Sequence, residues 1–482
     1  MLVDLLQTLS DFVRYQAARP VNMHSAFFGV AAVAGVLELA VAAPAPQNAA
    51  GTASLPPVLA TSLPNVASHS SIEPASGPSD YYVNLGPRPY YLVNNMTAGP
   101  LKSKLQSCAN GPFSITDFTI GHRGGATLQI PEESVENAMA GARMGAGILE
   151  CDTSLTADKG LVCRHSLCDL ATTTDILLHP ELAAKCAVPF TPANATSPAS
   201  AVCCTTDITT AEYLTLCSKM DGFNASATTP QEYQRGAPSW RTELYDTCGQ
   251  VQTLESYFAL VNSFPGYRNF TPELKSAADD DVTAKYMKFP PGFDQTDYAR
   301  LFANTIINTG VDLSRVWPQS FNPADIFLWL KEFPALGRQA VYLDESGDTP
   351  ETYAMAVSNL TWIKSQGVNI IAPPFNYLIM EAGPDNQSIV PAPYATAAKA
   401  AGLDIITWTF ERSGPLDQVK ATDQYYYSSI ADAVHNDGQV YEVLDILVNQ
   451  VGIKAIFTDW AATVTYYANC LGLKGPSSSN YL

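Results

Sequence analysis

From Phe118 onward, short runs rich in β-branched and aromatic residues alternate with longer stretches whose apolar positions recur at helical spacing. The strand-like runs end at His122, Asp152, His165, Lys275, Phe321, Asp344, Phe375, Phe410 and Asp459. Helical stretches fall between them at 133–144, 254–262, 323–331, 351–366 and 395–401. This alternation predicts βα units, a parallel sheet and a (β/α)8 barrel. The runs exceed the strands of such a barrel by one, so one of them is a short extra strand or a buried loop.

One interval breaks the rhythm. Roughly a hundred residues separate His165 from the run near Phe270, and a structureless loop of that length is unusual in a compact domain. Cys168, Cys186, Cys203, Cys204, Cys217 and Cys248 fall inside it. The pattern therefore predicts a disulfide-rich insertion at about residues 167–268, after the third strand, partly covering the barrel mouth. Its pairing does not follow from spacing.

Ahead of the barrel, residues 44–80 are dominated by Pro, Ala and Ser with hardly a charge, the composition of a linker. The globular part is expected to span 81–474, with a polar tail at 475–482. Residues 1–43 read as an N-terminal extension and a secretory signal: the apolar run 26–43 is rich in Ala, Gly and Val and ends in small residues before Pro44. Glu38 and the high alanine content make this run a poor membrane span, and a signal anchor is the alternative to cleavage. Met23 is an alternative start. The tail is too polar for a lipid-anchor signal.

Ten cysteines behind an export signal read as disulfides, and Asn95, Asn194, Asn224, Asn269, Asn359 and Asn386 each open an N-x-Ser/Thr sequon. The expectation is a secreted glycoprotein with no stable membrane span. Lys and Arg number 27 against 46 Asp and Glu, a net charge of -19, and no basic run is present to track a nucleic-acid backbone. Nucleic acid is therefore set aside as a partner. An acidic chain that handled an anionic substrate would need a local positive charge, and a divalent cation is the simplest source.

Ionisable residues gather where the strand-like runs end: Gly121-His122-Arg123-Gly124-Gly125, Glu150-Cys151-Asp152, Arg164-His165 and Glu273-Leu274-Lys275. Residues i and i+2 of a strand share a face, so Glu150 joins Asp152, and Glu273 joins Lys275. On neighbouring barrel strands these groups would converge at the C-terminal mouth. Hard carboxylate oxygens suit Mg²⁺ or Ca²⁺. Two histidines beside a metal suit proton transfer in a displacement at phosphorus, with Arg123 and Lys275 on phosphate oxygens. Singly each signal is weak: a lone strand-end His is more often structural, and Glu273 with Lys275 is most simply an ion pair. Cys151 and Cys163 read as disulfide partners or buried small side chains rather than nucleophiles. Tyr425, Tyr426 and Tyr427 read as packing and surface aromatics, and His69, His179 and His435 have no assigned role.

Order and spacing change those odds. His122-Arg123-Gly124-Gly125, Pro131-Glu132-Glu133-Ser134, Gly145 through Asp152, Thr156-x-Asp158 and Leu161-Val162-Cys163-Arg164-His165 resemble the glycerophosphodiester phosphodiesterase signature. Thr271-Pro272-Glu273-Leu274-Lys275, Gln319-Ser320-Phe321, Thr407-Trp408-Thr409 and Phe457-Thr458-Asp459 continue it in order. The resemblance implies a TIM-type barrel, a divalent metal (Ca²⁺ or Mg²⁺) on Glu150, Asp152 and Glu273, and acid and base roles for His122 and His165. It further implies that Arg123 and Lys275 contact the phosphate and that Trp408 lines the pocket. The substrate would be a small glycerophosphodiester, cleaved to sn-glycerol 3-phosphate and an alcohol. Phospholipase D-like action on lysophospholipids and a non-catalytic surface binding protein are the competing expectations. Two departures stand out: Glu133-Ser134 replaces the common Asn-Thr, and Ser166 follows His165 where Asp is common, leaving open which His is acid and which base.

Overall fold

A computed structural model describes residues 83–242, 248–383 and 387–481. The signal run, the alternative start at Met23, the linker and the Asn386 sequon lie outside the described residues. Eight parallel strands close into a barrel: β1 (Thr116–Gly121), β2 (Ala146–Leu155), β3 (Asn269–Leu274), β4 (Gln319–Ser320), β5 (Val341–Leu343), β6 (Ile370–Ala372), β7 (Asp404–Phe410) and β8 (Ala455–Thr458). Pairing of β1 with both β2 and β8 completes the closure.

The surplus run is Leu161–Cys163, which ends beside His165. It pairs antiparallel with β2 and stands outside the closed ring. Chain length explains why. Only residues 156–160 separate it from β2, whereas a parallel neighbour needs a crossover of about a dozen residues or more. A turn this short permits only a hairpin.

Side chains on the strands divide by parity. Ile148 lies in the barrel interior with Ile120, Trp317, Ile406 and Phe457, while Leu149, Cys151 and Leu155 face the surrounding helices. The helices expected from the pattern are present as Val135–Arg143, Leu254–Ser263, Pro323–Glu332, Pro350–Ser365 and Pro393–Ala401. Ser134 caps the first of these by accepting from the Asn137 amide, so Ser serves where the resemblance expected Thr.

Residues between the short antiparallel strand and β3 build a lobe with its own small core around Leu170, Ile176, Tyr213, Tyr233 and Val251. Three disulfides staple it: Cys168–Cys204, Cys186–Cys203 and Cys217–Cys248. Cys151–Cys163 joins β2 to the short strand, and Cys108–Cys470 ties the segment before β1 to the last long helix. No helix of the described residues is long and apolar enough to cross a membrane. Asn269 is 3% exposed and donates to Asp117 at 2.8 Å, so this sequon sits inside the sheet.

Candidate functional site

The inward face of each contributing strand changes character at its C-terminal end. On β2, apolar Ile148 is followed two residues on by Glu150 and then Asp152. Register places Asp152 opposite Glu273 of β3, and Glu273 opposite Gln319 of β4. One oxygen of each of Glu150, Asp152 and Glu273 falls within 4.8 Å of the others, and all three residues are buried. Lys275 lies 3.1 Å from Asp152 Oδ1 and 2.5 Å from Glu273 Oε1.

His122 and Arg123 follow β1 directly. Arg123 sits in the left-handed region at φ +51°, a conformation that non-glycine residues adopt at some cost. In return its backbone N–H donates to Glu150 Oε2 at 2.7 Å, while its guanidinium donates to Glu132 at 2.7 Å and lies 3.7 Å from Asp152. His122 turns Nδ1 to Asp459 Oδ1 at 2.5 Å and leaves Nε2 4.0 Å from Glu150. Gly124 must be glycine: it has φ +110°, and a Cβ there would meet Asn137 Oδ1 at 2.6 Å.

His165 arrives by a different route. It follows the short antiparallel strand, which the Cys151–Cys163 bridge and the Arg164 N–H to Asp152 carbonyl bond (2.6 Å) fix against β2. Its ring is half-buried, with a nitrogen within 4.8 Å of carboxylate oxygens of Glu132 and Asp169. Glu132 is already engaged by Arg123 and Arg412, which makes this trio a poor cation site. Ser166 bonds instead to Asp280 and Thr283. Trp408 donates Nε1–H to the Ala372 carbonyl and packs edge-on against Phe321 and Tyr426. Of the three adjacent tyrosines, Tyr427 is buried and Tyr425 bonds to Asp348, but Tyr426 extends the Trp408 wall.

The carboxylate trio fits a divalent cation. Burial and the Asp152 charge push Glu150 up to about 8, and burial pushes Glu273 well above the carboxylate range. Burial opposes ionisation of Asp152 as well, yet Lys275 and Arg123 hold it below its usual value. Both Asp152 oxygens are buried without an aligned hydrogen-bond donor. A cluster of hard oxygen donors that resists ionisation by itself is one that a bound cation would stabilise. The histidines lie in a cationic setting. Burial outweighs Asp459 and lowers His122 to about 4, and burial with Arg123, Lys275 and Arg412 lowers His165 well below its ordinary range.

Several residues at the mouth had no role from sequence. Asp459 holds His122, Gln319 donates to Glu150 Oε1 at 2.6 Å, and Glu132 receives Arg123. Asp459 and Gln319 each lie two residues beyond an inward apolar side chain, Phe457 and Trp317, and that spacing was available as a signal. Arg241, from the insertion, and Arg412, after β7, both pair with Asp459. No local pattern marks either.

Known proteins are similar to this chain to differing degrees. A curated protein of Arthroderma benhamiae named "Extracellular protein" is 42% identical over 256 residues, covering 53% of this chain and 100% of that protein. Among solved structures, a glycerophosphoryl diester phosphodiesterase from Parabacteroides distasonis matches at TM-score 0.39 and 12% identity, covering 80% of this chain and 98% of that one. A phosphodiesterase from Oleispira antarctica, in complex with the product sn-glycerol-3-phosphate, matches at TM-score 0.38 and 14% identity, covering 73% and 97%. The model of the glycerophosphoryl diester phosphodiesterase family matches residues 122–463, from the first histidine of the mouth to just past Asp459. Running over well more than half of the chain, that match makes the protein a member of the glycerophosphoryl diester phosphodiesterase family.

Proposed function

We propose that the protein is an exported, divalent-metal-dependent enzyme that hydrolyses small glycerophosphodiesters to sn-glycerol 3-phosphate and an alcohol. The observation that carries this is the buried trio of Glu150, Asp152 and Glu273 with histidines reaching the same mouth from two different elements. Glu150, Asp152 and Glu273 would hold Ca²⁺ or Mg²⁺, since hard oxygen donors suit either ion. When bound, the ion would polarise phosphoryl oxygens and offset the charge that builds in the transition state.

Arg123 and Lys275 provide the remaining positive charge for non-bridging oxygens, Arg through a planar fork and Lys as a point charge. His122 is assigned as general acid: burial leaves it neutral in the free protein, and the Asp459 carboxylate at Nδ1, joined by the arriving phosphate anion, stabilises the imidazolium that donates and fixes which nitrogen faces the substrate. His165 is assigned as general base: no carboxylate hydrogen-bonds its ring among the described residues, and burial together with the cations around it keeps it neutral and able to accept a proton. The proton comes from water or a neighbouring substrate hydroxyl. Trp408, Phe321 and Tyr426 form an apolar wall for the substrate. Export is supported by the name of the Arthroderma benhamiae relative and by the pairing of every cysteine among the described residues.

The test is release of sn-glycerol 3-phosphate from glycerophosphodiesters with and without Ca²⁺ or Mg²⁺. Chelation is expected to silence the enzyme, and His122→Ala and His165→Ala each to lower kcat roughly 10²- to 10⁴-fold. Near-normal turnover in either variant refutes the assignment.

A further inference from the structure

Guanidinium groups crowd the His122 side of the mouth beyond what its carboxylates engage. Arg241 of the insertion and Arg412 of the loop after β7 address the same oxygen, Asp459 Oδ2, at 3.0 and 3.1 Å. Asp459 gives its other oxygen to His122, and Glu132 is held by Arg123 at 2.7 Å, with Arg412 only within 3.7 Å. The remaining carboxylate is Asp221 on the rim, 3.8 Å from Arg412 and 36% exposed, where water competes for it. The Arg241 side chain is 4% exposed, and its Nε is buried with no hydrogen-bond partner.

That arrangement is unfavourable without a ligand. An unsatisfied buried donor is destabilising, and two like charges on one carboxylate oxygen repel each other. Burial and then Arg412 lower Arg241 from its ordinary value, the direction expected of a cation short of counter-charge. Local unfavourable features of this kind persist where function requires them. The missing element is an anion, and paired guanidinium forks match phosphate or carboxylate geometry.

We propose that Arg241 and Arg412 form a second anion subsite, which receives a negatively charged group on the alcohol half of the diester. The preferred substrates are then glycerophosphodiesters of a carboxylated or phosphorylated alcohol. The inference rests on the assignment of His122 as the acid, since the pair sits against Asp459 and therefore on the leaving-alcohol side. It gives the insertion a role: one of its side chains enters the site and selects the alcohol.

Glycerophosphoserine and glycerophosphoethanolamine differ by one carboxylate and make the test. The wild-type enzyme is expected to show kcat/KM at least about tenfold higher for the serine diester. Arg241→Gln and Arg412→Gln each bring that ratio close to one, and Arg412→Lys retains part of it. A wild-type ratio of one or less overturns the proposal. So do Gln variants that slow both substrates equally, an outcome that places the pair at the scissile phosphate or in a purely structural role. Thermal melts accompany each variant, and Arg412, 16% exposed and on a loop, is the position where substitution disturbs packing least. Calorimetric binding of the two diesters to chelated protein reads the subsite without turnover. A preference for the serine diester in wild type that is lost in the Gln variants supports the subsite even if hydrolysis fails, whereas equal binding overturns it.

Discussion

Glu150 carries the sharpest consequence of burial at the mouth. Its ordinary value is 4.5, and in the metal-free protein burial and the Asp152 charge raise it to about 8. Between those values the folded chain keeps a proton that the unfolded chain has released. The stability contributed by this group is therefore complete below about pH 4.5 and is lost as pH climbs through about 8. A cation that binds the ionised trio reverses that trend near neutrality. In chelator, Tm is expected to fall across this window, and Ca²⁺ or Mg²⁺ to restore it by the linkage of ligand to fold, about 2.7 kcal/mol at a hundredfold excess over Kd. Glu150→Gln removes one of the two raised carboxylates of the trio, so it should weaken the pH dependence in chelator, leaving the share of Glu273, and diminish the rise on adding metal. Scanning calorimetry across pH reads both. Asp459 makes a separate prediction. Asp459→Asn preserves shape but removes the charge that selects the His122 tautomer, and kcat should fall roughly 10²- to 10⁴-fold with the protein still folded by circular dichroism.

At the scale of elements, most of the mouth was readable because a strand repeats every two residues. Ile148 to Glu150 to Asp152, Ile120 to His122, Ile406 to Trp408 and Phe457 to Asp459 follow one rule: the inward face of a barrel strand passes from an apolar side chain to one proposed to act at the site. His165 breaks the rule because its strand lies outside the ring, a placement set by the five-residue turn before Leu161 rather than by hydrophobic period. Cys151 and Cys163 compensate for that exception. Their disulfide spans 12 residues and links the strand bearing Glu150 and Asp152 to the segment bearing His165. Cys151→Ala with Cys163→Ala should cost about 2–4 kcal/mol in denaturant titration, as for a bridge closing a short loop. It should also lower kcat further than Cys108→Ala with Cys470→Ala, whose bridge ties the segment before β1 to the last long helix. Equal effects on kcat would reduce the inner bridge to a staple.

For the molecule as a whole, long-range pairing was the part that spacing could not supply. Arg241 meets Asp459 across a sequence separation of 218, and Cys108 meets Cys470 across 362. Closure of the barrel decides both contacts, and a strand or helix period carries no information about closure. The same closure sorts the sequons, which look alike in sequence. Asn194 and Asn95 are exposed, whereas Asn269 lies on β3, bonded to Asp117, with Phe270 packed outward against Phe258 at 4.6 Å. A glycan on Asn269 would have to replace that bond and open the wall between β2 and β3, which pair along six residues. Glycosylation precedes folding in the secretory pathway, so a chain modified there could not close its barrel. Peptide mass spectrometry of protein secreted from a eukaryotic host should therefore find Asn194 glycosylated and Asn269 bare. Asn269→Gln should leave the glycoform unchanged while lowering Tm through the lost partner of Asp117, which burial already pushes up to about 6. A glycan on Asn269 in active, secreted protein would contradict the register of β2 with β3, and with it the placement of Glu273 opposite Asp152.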